Sequence, residues 1–337
     1  MADYKDIKGG TVQNFAGDPP APIAGQVWYD STARAFQYLS SSPAGTWASG
    51  GNLNTARTAG GGAGLGPPTA NIYAAGHVSP PNPRSAIAET YDGSSWTEVA
   101  DLNTGRSASK KGLGTQTTVI FAGGNVNASP PHDGGQTESF NGTSWTELAD
   151  LNSIRRDHAA AGSSTSGIVF GGNNPGSPGY TADAETWDGS SWTEVGNLNQ
   201  ARGGLAGAGA TSTAALDIGG NNPNLSGKTA TVEQWNGTSW TEIADINTAR
   251  NGLNGCGTTT AALCFGGEAA PGQTGKTELW NGTAWAEQND LPIGPVDNGG
   301  TGTSLAAMNI AGSDATGVLA TTHEWTSPTE TSETLTD

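Results

Sequence analysis

The sequence predicts an all-β fold, a six-bladed β-propeller of four-stranded antiparallel blades. Three observations carry that prediction. First, nearly the same phrase recurs five times: YDGSSW at 91–96, FNGTSW at 140–145, WDGSSW at 187–192, WNGTSW at 235–240 and WNGTAW at 280–285. Its tryptophans are 49, 47, 48 and 45 residues apart, a period that marks a propeller or solenoid, in which each unit buries its faces against its neighbours. Second, each phrase follows an apolar run that ends in glycine, such as VIFAGG at 119–124. Third, the hydrophobic share is only 34%. Counting glycine and leaving out tyrosine brings it to roughly 48%, normal for a folded domain. The core must therefore be built from Gly, Ala and Trp.

Within a unit the elements follow in order. A Leu/Ile-Asn loop with an Arg opens it: LNTAR at 53–57, LNTGR at 102–106, LNSIR at 151–155, LNQAR at 198–202 and INTAR at 246–250. A small-residue run, GGLAGAGA at 203–210 for example, reads as the innermost strand, because glycine suits close backbone approach. The second strand is apolar and ends in glycine: IYAAG, VIFAGG, IVFGG, LDIGG and LCFGG. A Gly/Pro/Asn-rich loop leads to the third strand, which carries Glu-x-aromatic. A DG or NG turn, a strong hairpin signal, returns the chain as the fourth strand, S-W-T-E. The order hydrophobic-Gly-Gly, aromatic, Trp, then Arg resembles the kelch repeat and covers residues 46–325. The resemblance implies a kelch-like propeller. The spacing of five from aromatic to Trp is shorter than is usual in kelch, so the hairpin must be tight.

The units read as 53–98, 102–147, 151–194, 198–242, 246–287 and 291–325. In the last, Leu291-Pro292 replaces Leu-Asn, MNIAG at 308–312 loses one glycine, and Trp325 falls in register with the third-strand aromatic. That unit lacks a fourth strand. GTWAS at 45–49 is a fourth strand with no unit before it, and Trp47 stands 49 before Trp96. Residues 45–49 should therefore complete the sixth blade and close the ring, with Trp47 and Trp325 at the seam, leaving no open sheet edge.

Five of the eight arginines, Arg57, Arg106, Arg155, Arg202 and Arg250, share one repeat position. Glu89, Glu138, Glu185, Glu233 and Glu278 each sit two before the third-strand aromatic. Unit six has Pro295 and His323 instead, so both partners vanish together. This predicts a structural Arg–Glu pair, bidentate where geometry allows. The alternative is a ring of arginines that gathers an anionic ligand. Asp217, unusual on an inner strand, is expected to bond to nearby backbone, the alternative being a buried acid with a role. Cys256 and Cys264 read as small buried thiols on the first two strands of unit five.

No catalytic residue, cofactor or metal site is predicted. His77, His132, His158 and His323 lack ligand spacing, and there is neither a phosphate loop nor a nucleophile elbow. The sequons at Asn141, Asn236 and Asn281 fall in NG turns, which turn chemistry explains. A net charge of −17 disfavours nucleic acid. No run of 18 apolar residues occurs, so membrane insertion is not expected. The loops between second and third strands vary most between units. His77, Asn82, Arg84, His132, Asp133, Asn174, Tyr180, Asn222, Lys228 and Lys276 are their candidate binding residues. Variable loops on a rigid scaffold suit binding, and drift on an inert surface would look the same.

Residues 1–44 do not repeat. They read as an extended Gly/Pro/Ala-rich arm and a hairpin, GQVWYDSTARAFQYL at 25–39. The hairpin resembles the G-x-x-W-Y-(D/N)-(S/T) motif of many bacteriophage tail-fibre and structural proteins. GTWASGGNLNTAR at 45–57 resembles kelch-like proteins of marine phages. Residues 326–337 read as a polar C-terminal tail. The resemblance implies a non-enzymatic virion protein, a tail fibre or other appendage, that docks to virion proteins through residues 1–44. Its propeller would meet a host-surface glycan or protein, or decorate the particle. The start, MADYKDIKGG, has no apolar stretch of a signal peptide, which fits synthesis in the host cytoplasm. The alternatives are a kelch-type scaffold for protein partners in a cell and a glycan-active propeller enzyme.

Overall fold

The computed structural model describes residues 12–20, 26–41, 44–78, 84–107, 111–126, 134–174, 179–222, 227–328 and 330–335. They are strands, turns and loops, with no helix among them. The chain divides into two compact units, Thr46–Thr326 and a second made of Met1–Gly45 with Ser327–Asp337.

The larger unit is a series of four-stranded antiparallel meanders. Two of them join as one eight-stranded sheet. Its outer strands are Trp145–Glu147 and Trp96–Val99, and its central strands, Lys111–Thr115 and Gly61–Ala63, pair in parallel. The next meander comprises Ala159–Ser163, Ser166–Phe170, Ala184–Trp187 and Trp192–Val195. It is followed by Ala206–Thr211, Ala214–Ile218, Val232–Trp235 and Trp240–Ile243, and then by Asn254–Gly257, Ala262–Phe265, Thr277–Trp280 and Trp285–Glu287. The last sheet takes Gly299–Gly302, Ala306–Ile310 and Thr322–Thr326 from the end of the unit and Thr46–Ser49 from its beginning. There Trp325 lies opposite Trp47, as Trp235 lies opposite Trp240. The first strands of successive meanders neighbour one another, and Gly299–Gly302 also neighbours Gly61–Ala63.

The core lies between successive meanders. One cluster joins Met308, Ile310 and Ala311 of the last to Leu53, Tyr73, Tyr91 and Trp96 of the first. Another joins Cys256, Leu263 and Phe265 to Ala307, Trp325 and Trp47. Both cysteines are buried and free. Indole donors tie neighbours together: Trp96, Trp145, Trp240 and Trp285 each donate Nε1 to a carbonyl just past the preceding meander's fourth strand. Trp47 donates to the Thr277 hydroxyl at 3.0 Å, as Trp192 does to Thr137 at 3.2 Å. The seam thus repeats contacts made elsewhere in the array.

The glycine pair after the second strand has a backbone cause. Gly171 and Gly172 have φ of 63° and 98°. The first site tolerates Ala75 and Ala311 at φ of 64° and 57°, a strained but local conformation. The second stays glycine in every unit. A Cβ on Gly172 would lie 2.6 Å from the Arg156 carbonyl.

Outside the last sheet, third and fourth strands are joined by four-residue loops, Asp92–Ser95 being one. The Asp92 carboxylate accepts from the amides and hydroxyls of Ser94 and Ser95, which pulls its pKa down to about 2. Asn141 holds its turn in the same way through the amides of Thr143 and Ser144.

The smaller unit is a sheet in the order Gln13–Phe15, Val27–Asp30, Ala35–Ser41, Glu330–Thr334. The segment expected to be a polar tail is therefore a strand, antiparallel to Ala35–Ser41. Its Thr-rich composition suits an extended chain, but it lacks the apolar alternation that marks a strand in isolation. The arm contributes Gln13–Phe15, parallel to Val27–Asp30. Trp28 of the hairpin is fully buried.

Candidate functional site

The structure brings each repeat arginine to its glutamate. Arg57–Glu89, Arg155–Glu185, Arg202–Glu233 and Arg250–Glu278 meet at 2.8, 2.7, 2.8 and 2.9 Å, and Arg106 meets Glu138, all with fully buried side chains. The bidentate geometry considered above is not what forms. One guanidinium nitrogen, Nη2, reaches Glu Oε1, while Nη1 turns to backbone carbonyls. In the third unit these are Asp183 at 2.7 Å and Gly171 at 3.3 Å. The second carboxylate oxygen is taken by the opening loop. Glu185 Oε2 accepts from the Asn152 amide at 2.8 Å and its Nδ2 at 2.9 Å. Asn54, Asn199 and Asn247 repeat both bonds to their own glutamates. The asparagine of the Leu-Asn loop is thus the missing member of the motif. Its recurrence three residues before every repeat arginine is the sequence signal for it.

Because these guanidiniums are buried and carry backbone, they cannot gather an anionic ligand. In unit six, His323 is buried and burial pushes its pKa down. Asn298 and Asn309 bond to each other nearby.

Asp217 does not bond to backbone as expected. It lies opposite Glu233 and shares Arg202 with it. Two carboxylates face one guanidinium, and Glu233 has the amide donors of Asn199 as well, so the proton falls to Asp217. Burial first, and then Glu233, push its pKa up to about 7 against the pull of Arg202. The folded state therefore binds this proton more tightly than the unfolded chain. Stability contributed by the group is full below its ordinary value of 3.8 and is lost as pH rises through 7. Relative to Asp217→Asn, the native chain should lose up to ~1.4 kcal/mol per pH unit between those limits. Denaturant midpoints of both proteins at pH 4.5 and 7.5 check this, and a gap independent of pH contradicts it.

Lys111 carries a feature the sequence does not signal. It lies on a first strand, is 6% exposed, and its Nζ donates to the carbonyls of Gly207 and Gly255, both at 2.7 Å. One ammonium thereby ties three first strands. Burial pushes its pKa down to about 8 from an ordinary 10.5. Its charge costs stability in full below 8, and that cost fades toward 10.5. Lys111→Met should be at least as stable as the native chain at pH 7. The gap should close by ~1.4 kcal/mol per pH unit above 8. Urea denaturation at pH 7 and pH 10 reads it, and equal gaps would contradict it.

The loop face is pinned at its base. The residue after each repeat Arg bridges to the residue after the glycine pair: Thr58 to His77, Arg156 to Asn173, Gly203 to Asn221 and Asn251 to Glu268. Beyond it, main-chain bonds pass from unit to unit: Ala59 to Asp297, Asp297 to Gly252, Gly252 to Gly204 and Gly204 to Asp157. All five residues have positive φ, between 52° and 67°.

Of the loop residues named from sequence, Asn82, His132 and Asp133 lie outside the described residues. His77 bridges both Thr58 and Arg84. Asn222 is 3% exposed and donates to Gln200, so it faces inward, and Asn174 is half-buried. Lys276 pairs with Glu287 on an outer strand at 3.2 Å. Tyr180 and Lys228 line a cleft, with Asn221, Asn251 and Glu268, which the sequence reading did not single out. Among the described residues no cluster of His, Cys, Asp and Glu could hold a metal ion.

Repeating four-stranded antiparallel meanders, joined first strand to first strand, define an all-β protein of β-propeller-like fold. Among solved structures, that of YjhT, a kelch-like propeller, is similar, with a TM-score of 0.61 and 14% identity over 84% of this chain and 99% of that one. At that identity the likeness shows the fold alone. No family model matches the chain, and no curated protein matches it.

Proposed function

We propose that this chain is a non-enzymatic virion structural protein, a tail fibre or other appendage, whose six-bladed propeller is presented outward and whose smaller unit docks to the particle. The observation that supports the reading is the smaller unit itself. It does not repeat, it is compact apart from the propeller, and it is built on the Trp-Tyr hairpin Val27–Asp30 and Ala35–Ser41. Six blades are supported by Gly299–Gly302 neighbouring Gly61–Ala63 and by Thr46–Ser49 completing the last sheet. The burial of the repeat arginines argues against an enzyme that uses them on a charged sugar.

The test is particle incorporation. Deleting residues 1–45, which spares Thr46–Ser49, is expected to leave a folded propeller that no longer copurifies with virions of the encoding phage. A deleted chain that still joins the particle would overturn the docking role.

A further inference from the structure

The loop face carries two adjoining hollows. The larger, about 500 Å³, is lined by Asn221, Lys228, Asn251 and Glu268 above the small side chains of Ala249 and Ala270. The smaller, about 190 Å³, shares Asn251 and is bordered by Asp157, Tyr180 and Asp297. Together they reach the size of small-molecule sites.

Their polar lining has a definite bias. Asn221 Oδ1 and Asn251 Oδ1 are buried and accept no hydrogen bond from the protein. Asn221 is oriented by its own amide, which donates to the Tyr180 hydroxyl at 2.9 Å. A buried acceptor without a donor bears its desolvation uncompensated, so two in one cleft call for donors from outside. Charge narrows the class. Lys228 pairs with Glu268 at 3.1 Å and donates to the Ala269 carbonyl at 3.1 Å, so its charge is already matched by a neighbouring carboxylate. The other charged groups on the border, Asp157 and Asp297, are acidic, and the net charge is −17. A carboxylated, sulfated or phosphorylated ligand would be repelled. Small apolar side chains beside acceptors suit a ligand with hydroxyl donors on one side and C–H groups on another.

We propose that this cleft binds a neutral saccharide of one or two hexose units. The proposal rests on reading the propeller as the outward-facing part of an appendage. The unit can be free sugar or part of a surface polymer. Reducing sugars represent the first source and methyl glycosides the second.

The test is calorimetric titration of the full chain. Glucose, galactose, N-acetylglucosamine, lactose and the methyl glycosides are set against the charged sugars glucuronic acid and N-acetylneuraminic acid. At least one neutral sugar should saturate with a millimolar Kd, tighter than every charged one. Asn251→Leu and Asn221→Leu should each weaken it about tenfold, one hydrogen bond's worth, with unchanged unfolding midpoints. Neither side chain carries the backbone bridges at the cleft's base, and either variant serves if the other fails to fold. Three results would overturn the proposal: no neutral sugar saturating by about 100 mM, a charged sugar binding more tightly, or affinity that survives both substitutions. None of these touches the docking reading, which particle incorporation decides separately.

Discussion

Glu185→Ala is expected to destabilise the larger unit by about 3–5 kcal/mol, the cost of leaving a buried charge without its partner. Four donors lose their acceptor at once: Arg155 Nη2, the Asn152 amide and Nδ2, and the Ser153 amide. Arg155 would keep only carbonyls, which carry no full charge to balance its own. Glu185→Gln retains one acceptor but turns an N–H₂ toward another donor, so it should recover part of the loss at most. Arg155→Met with Glu185→Leu should do better than either single change, because no isolated charge remains. Scanning calorimetry of the four proteins reads the order. A loss of this size lowers the unfolding temperature by about 2–4 °C per kcal/mol in a unit this large. A single variant as stable as the double would mean that the pair is not what holds the opening loop to the third strand.

Trp47→Ala is the second large effect. Trp47 is less buried than its counterparts, Trp240 at 6% and Trp285 at 7%. It nevertheless packs on Phe265 at 5.1 Å and Trp325 at 5.3 Å between ring centroids, and holds Thr277. Truncation should cost about 3 kcal/mol, the low end for a tryptophan. Its location matters more than its size. Thr46–Ser49 is the one strand of the last sheet not continuous in sequence with the other three, so local opening should concentrate there. Amide exchange in the variant should rise in Thr46–Ser49 and Thr322–Thr326 ahead of Thr277–Trp280. Uniform acceleration across the array would refute a seam at this point.

The repeat made much of the fold legible. Trp325 in third-strand register and Trp47 without a preceding unit located the seam, and joint loss at Pro295 and His323 joined arginine to glutamate. Each of these could be read because one unit could be compared with the next. What happens once in the chain had no such comparison. Lys111 is an ordinary lysine until its strand lies beside those of Gly207 and Gly255. Asp217 meets its guanidinium only when Arg202 folds inward. The strand Glu330–Thr334 looks like a tail because its partner lies nearly three hundred residues away and its own pattern is polar throughout. The cleft shows the same limit from another side. Asn221 and Asn251 are plain loop residues in sequence, and only their shared hollow and missing donors make them a site.

The seam also sets an order of events during synthesis. Thr46–Ser49 leaves the ribosome early, yet its partner Thr322–Thr326 comes some 270 residues later. At about 5–20 residues per second, that strand waits on the order of ten seconds to a minute for its neighbour. Meanwhile Trp47 has neither Phe265 nor Trp325 to cover it. The nascent chain thus carries a bare strand and an uncovered indole while five meanders assemble behind it. Slow translation or a pause near residue 320 would prolong that exposure. Misassembly should then occur by capture of this strand by a second nascent chain, giving linked dimers in which each molecule's seam is closed by the other.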